Sequence, residues 1–173
     1  LGQYEDALDA YLAAITLESK HKEAQNNFAI TLMTKGDLDA ALDHLINLLS
    51  LFPDDADTLY NYAAVCINKG LNDDAISAFT DVIRLDPQRT HAYQFLADLL
   101  YDAKKYQEAL NVYLNLLSID PNYTIAHYYV AQLYEGFGQK GRALQYYQNY
   151  LRMADPQDQK GIESAQAAIQ RLQ

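Results

Sequence analysis

Residues 56–87 read ADTLYNYAAVCINKGLNDDAISAFTDVIRLDP, and this stretch decides the fold. From Ala56 to Lys69 apolar residues return at steps of three and four, the period of a helix with one buried face. Gly70 ends that run, because glycine takes the left-handed backbone that closes a helix. A second helical run, Asn72–Leu85, follows and stops at Asp86-Pro87, since proline cannot continue a helix and restrains the residue before it. Asp54 or Asp55 stands where a cap for the first helix is needed. The stretch is a helix pair joined by a short turn, and the two helices approach closely where Ala63 and Ala75 keep the side chains small.

The same pattern recurs outward in both directions at a spacing of 34 residues, without a gap. Ala7, Ala41, Ala75, Ala109 and Ala143 form one column, and Ala29, Ala63, Ala97 and Ala131 another. Gly2, Gly36, Gly70 and Gly138 keep the step, with Lys104 as the one substitution. Pro53, Pro87 and Pro121 keep it too, as do Leu17, Leu51, Leu85, Ile119 and Met153. Four complete repeats result, 22–55, 56–89, 90–123 and 124–157, within one array over 1–173. Residues 1–21 read as the second half of a further repeat, with Leu8, Tyr11 and Ile15 left without a neighbour; the expectation is a piece of a longer protein, able to self-associate through that face. Residues 158–173 read as a closing helix, with Asp155-Pro156 as its start and Ile162, Ala165, Ile169 and Leu172 as its apolar stripe.

These residues resemble the tetratricopeptide repeat family. Its pattern of two small residues at helix crossings, a turn glycine, an aromatic on the second helix and a following proline falls on Ala63, Ala75, Gly70, Phe79 and Pro87. Two columns depart from it. Gln25, Leu59, Tyr93 and His127 stand where the family favours tryptophan, and Ala14, Leu48, Val82, Leu116 and Tyr150 where a small residue is usual. The resemblance implies an all-α, right-handed α-solenoid of ten helices in antiparallel pairs. It also implies a concave groove, lined by the first helix of each pair, that holds segments of other proteins.

The residues left over once the Leu/Ala packing face is assigned form the candidate groove. They read Glu23, Asn27, Ile30, Thr34; Asp57, Tyr60, Asn61, Ala64, Asn68; His91, Phe95, Asp98, Asp102; and Ile125, Tyr128, Tyr129, Gln132, Glu135. Asn27 and Asn61 share a column and offer a donor and an acceptor each, which suits either a partner's backbone or plain solvation. Phe95, Tyr128 and Tyr129 suit either anchoring a partner or packing between repeats. Asp98 and Asp102 lie four apart on one face and read as a solvated acidic surface. The stripes carry no Lys or Arg, so the carboxylate-clamping mode of some family members is not expected.

With 13 Lys+Arg against 23 Asp+Glu, the formal net charge of −10 argues against nucleic acid and anionic membrane surfaces and favours a neutral or basic peptide with apolar anchors. The single cysteine, Cys66, excludes an internal disulfide and reads as a small buried residue. No apolar run approaches the ~18 residues of a membrane span, and the start has no signal-peptide pattern. The compartment is left open, with the cytoplasm as the default. His21, His44, His91 and His127 form no cluster at metal-ligand spacing, and there is no phosphate loop or nucleophile elbow. The expectation is a scaffold with no cofactor, metal or catalytic residue; its rival is a non-catalytic region of a larger enzyme or assembly protein.

Overall fold

The structure, a computed structural model, describes residues 2–173. Among them are ten helices and no strand: α1 Gly2–Leu17, α2 Lys22–Lys35, α3 Leu38–Leu51, α4 Ala56–Lys69, α5 Asn72–Leu85, α6 Thr90–Asp102, α7 Tyr106–Ile119, α8 Thr124–Gly136, α9 Lys140–Met153 and α10 Gln159–Leu172. This is an all-α helical-repeat solenoid. The chain divides into two compact units, residues 1–92 and 93–173.

The turn inside each helix pair closes in one way. At Gly70 the backbone is left-handed (φ +73°), and the amides of Gly70 and Leu71 bond to the carbonyls of Ile67 (3.0 Å) and Cys66 (2.9 Å). Two otherwise orphaned carbonyls at the helix end are thereby satisfied. Gly36 and Gly138 repeat this geometry. So does Lys104, at φ +62°, with Lys105 N–H bonded to the Leu100 carbonyl at 2.8 Å. Lysine therefore occupies a conformation that its Cβ disfavours.

Between pairs, the aspartate before proline folds back. The Asp86, Asp120 and Asp155 side chains accept from the amides of Gln88, Asn122 and Gln157 at 3.3, 2.9 and 2.9 Å. That corrects the reading of Asp155-Pro156 as a helix start: it is one more inter-pair turn, and Asp158 caps α10 through the Gly161 amide at 3.0 Å. Asp55, rather than Asp54, caps α4 through the Thr58 amide at 3.1 Å.

Within both units Ala29, Ala41, Ala63, Ala75, Ala97, Ala109, Ala131 and Ala143 are all at 0% exposure, while Ala7 on α1 is half-buried. The bulky late column is also internal: Leu48, Val82, Leu116 and Tyr150 fill space between helices. In unit 1, Leu8, Leu32, Leu45 and Val65 form a core with Phe28, Met33 and Tyr62 packed against it, so Leu8 is not left without a neighbour. In unit 2, Leu96, Leu100, Leu110, Tyr113, Val130 and Tyr147 are buried. No helix among the described residues is long and apolar enough to cross a membrane.

Candidate functional site

Each unit presents a recess on its first helices. In unit 1 an open depression of about 390 Å³ is lined by Asn27, Tyr60 and Asn61, as the sequence suggests, and by Asn26, Lys22 and Arg89, which it does not. Its floor is a chain of hydrogen bonds. Asn61 Nδ2 donates to Asn26 Oδ1 (2.9 Å), Asn26 Nδ2 to Thr58 Oγ1 (3.0 Å), and Thr58 Oγ1 to Asp55 Oδ2 (2.7 Å). Lys22 Nζ closes the chain on Asp55 Oδ1. Burial works to raise the Asp55 pKa, but the bonds from Lys22 and Thr58 outweigh it and hold the carboxyl below its usual value.

The recess does contain cations, although the stripes themselves carry none. Lys22 and Arg89 lie at helix boundaries, outside the helical columns from which the stripes were drawn. Arg89 is already engaged: it donates to Asp57 (2.5 Å), Asp86 (3.1 Å) and the Ala56 carbonyl (3.3 Å), and lies 5.4 Å from the Tyr60 ring centroid. A partner's carboxylate would have to compete with these acids. Asn61 keeps its own carbonyl oxygen and one N–H, and the half-buried Asn27 amide has no partner among the described residues.

In unit 2 an open recess of about 570 Å³ is lined by Tyr101, Tyr128, Gln132, Glu135 and Tyr147, and closed on one side by Ser164, Ala167, Ala168 and Arg171 of α10. Aromatic rings form its wall. Tyr129 stacks on Tyr113 (5.3 Å, 5°) and meets Tyr101 edge-on (5.6 Å), while Tyr128 contacts Tyr147 (5.8 Å) and Tyr150 (5.1 Å). Tyr129 is thus largely committed to packing, whereas Phe95 stays about a third exposed.

Asp98 and Glu135 are held by buried phenols. Tyr113 O–H donates to Asp98 Oδ1, and Tyr147 O–H to Glu135 Oε2 at 2.9 Å. Asp98 is therefore not the solvated acid expected. Burial raises its pKa, against the Tyr113 bond, which lowers it. Asp102 is exposed, as is His91 on α6. The signal for the two phenols is in the sequence: Tyr11, Leu45, Phe79, Tyr113 and Tyr147 share one 34-residue column, and in unit 2 both of its members bring a hydroxyl. Arg171, which reaches Glu135 from α10, leaves no trace in the periodicity.

Comparison with known proteins bears on the family. The tetratricopeptide repeat pattern matches residues 32–99 and 69–124, and again residues 1–45. The chain belongs to the tetratricopeptide repeat family. Among curated proteins none matches it. Solved structures of similar fold include MamA (TM-score 0.78, 22% identity, 88% of this chain and 89% of that one). Another is YrrB, described as a TPR protein with an unusual peptide-binding site (0.77, 19% identity, 96% and 84%). A third is a thermophilic TPR protein of Thermus thermophilus (0.63, 20% identity, 98% and 92%). At these identities the likeness is one of fold.

Proposed function

We propose that this tetratricopeptide repeat protein is a non-catalytic interaction scaffold that holds segments of a partner polypeptide in the recesses on its first helices. The observation that carries the reading is the unit 1 floor. Asn61 is held by Asn26 in a fixed orientation while keeping a donor and an acceptor open in the recess, and Asn27 keeps its whole amide. Pre-oriented amides of this kind suit a backbone, which carries the same two groups at every residue. In unit 2, Tyr128 and Gln132 line the recess beside Glu135, and Phe95 and Asp102 are exposed on α6, which favours a neutral or basic segment with apolar anchors. The peptide-binding site in the description of YrrB supports the same class of partner.

The test is capture of partners on the immobilised chain, followed by peptide mapping. Asn27→Ala and Phe95→Ala are the variants of choice, because Asn27 lines the unit 1 recess outside the Asn26 chain and Phe95 is about a third exposed on α6. Weakened binding at unchanged helicity is expected; a mapped partner that binds both variants like the parent would move the site elsewhere.

A second reading, self-association, rests on α1, where Tyr4, Leu12 and Leu17 are 40%, 46% and 90% exposed. A sedimentation coefficient that rises with concentration in the parent, and not in Leu12→Glu, would support it; a constant coefficient in both would exclude it.

A further inference from the structure

We propose that the unit 2 recess is a seat for an arginine side chain of the partner, and that Arg171 of α10 occupies that seat within the free chain. The inference rests on the scaffold reading above and names the chemistry that one recess selects.

Three observations carry it. Glu135 is a prepared acceptor: one oxygen, Oε2, is held by the buried Tyr147 hydroxyl at 2.9 Å, which orients the carboxylate and leaves Oε1 for another donor. A guanidinium already sits there, with Arg171 Nε at 3.0 Å and Nη2 at 2.6 Å from Glu135 Oε1. The surroundings suit a cation, for Tyr101 and Tyr128 line the recess. Asp102, next to Tyr101 on α6 and without an ion pair among the described residues, helps after burial to raise the Tyr101 phenol, so negative charge stands near this wall. Unit 1 shows the same grammar independently, with Arg89 on Asp57 beside the Tyr60 ring.

The resident is exchangeable. The Arg171 side chain remains 63% exposed, so its ion pair with Glu135 is of the weak, solvent-screened kind. Returning it to water loses little. An arginine delivered on a partner segment would meet the same carboxylate with apolar anchors beside it to exclude water, and its weakly hydrated, planar head suits the tyrosine faces better than a lysine ammonium does. Arg171 therefore acts as a built-in competitor that sets a threshold for entry.

The experiment uses the whole chain and two short fluorescein-labelled probes, a Leu/Arg peptide and its twin with citrulline, the uncharged isostere, in place of arginine. Fluorescence anisotropy reads binding. The arginine probe is expected to bind about 10-fold more tightly than its twin, the low end for a hydrogen bond between charged groups. Arg171→Ala is expected to strengthen the arginine probe by about 2–5-fold, the range of an exposed ion pair, and to leave the citrulline probe unchanged. Glu135→Gln should erase the preference, and in that background Arg171→Ala should change nothing. Arg171→Lys keeps a cation and should fall between, which separates competition from loss of the α10 contact; circular dichroism confirms that α10 stays helical. Equal binding of the two probes, or an Arg171→Ala chain that binds the arginine probe no better than the parent, overturns the seat. If both probes bind equally and both lose affinity with Phe95→Ala, the arginine seat falls and the scaffold reading stands. If neither probe binds any variant, the seat falls too, and partner capture decides the scaffold reading by itself.

Discussion

Lys104→Gly is expected to stabilise unit 2. Lys104 takes the position that Gly36, Gly70 and Gly138 hold in the other helix pairs, at φ +62°, and makes the same turn hydrogen bonds. An L-residue in this conformation is disfavoured by about 1–2 kcal/mol. Glycine removes that penalty but loses about 0.5–1 kcal/mol through the greater freedom of its unfolded chain. The balance is a net gain of about 0.5–1 kcal/mol. No contact is forfeited, since the Lys104 side chain is exposed and has no ion pair among the described residues. Urea unfolding followed by far-ultraviolet circular dichroism should show the midpoint for unit 2 rising by about 0.3–0.5 M, for a slope near 2 kcal/mol/M. The reciprocal change, Gly70→Lys in unit 1, meets no atom within 4 Å of the new Cβ, so its effect isolates the backbone. It should lose about what the first variant gains. If Lys104→Gly is neutral or destabilising while Gly70→Lys is tolerated, left-handed strain is not what this column controls.

Ala75→Leu should destabilise unit 1 by about 1–3 kcal/mol, because the fully enclosed crossing of α4 and α5 has no room for three more carbons; denaturant titration checks it. Asp55 has a lowered pKa in the fold, so its contribution is present above the ordinary carboxylate range and lost as pH falls through it. Asp55→Asn should flatten the acid limb of unit 1 stability, measured by urea midpoints between about pH 3 and pH 6. Asp98 has the opposite sign: burial raises its pKa, the folded state holds the proton more tightly, and ionisation weakens unit 2 as pH rises. Asp98→Asn should therefore remove a loss of stability on going from acid to neutral pH, read by the same titration. Cys66 is fully enclosed, and burial pushes its thiol pKa up. It should react with iodoacetamide only as fast as unit 1 opens, and modification at the rate of a free thiol in the native protein would contradict that burial.

The fold was legible in the sequence because its determinants repeat. Each alanine crossing is a local requirement imposed at the same place in every pair, and the turn glycine and inter-pair proline recur in most, so a single chain displays them several times. The recesses were legible only where their residues lie on helical columns. Asn27, Asn61, Tyr128 and Gln132 do line them. Lys22 and Arg89 sit at helix boundaries, where a side chain's direction depends on the turn rather than on the helical period. Asn26 lies beside the expected stripe, and only packing shows that its amide bridges to Thr58 and Asn61. Arg171 comes from a helix outside the repeats, so no internal comparison points to it. The burial of the Asp98 carboxylate is not legible on α6, because the phenol that takes it out of water is 15 residues away on the paired helix.

The bridge from Asn26 to Thr58 and Asn61 has a consequence for how such an array can be rearranged. It joins one repeat to the next through side chains that have no counterpart one step further on: Tyr60 stands in the column of Asn26, and Ala92 in that of Thr58. A buried amide finds its partners only if the correct neighbour follows it. The pair 22–55 and 56–89 is therefore not a set of interchangeable cassettes. A chain engineered with residues 22–55 and 56–89 in swapped order would conserve every alanine crossing and every turn, yet strand the Asn26 amide against a junction that offers no hydroxyl. Uniform geometry makes the repeats stackable, and a few lateral polar bonds make their succession specific.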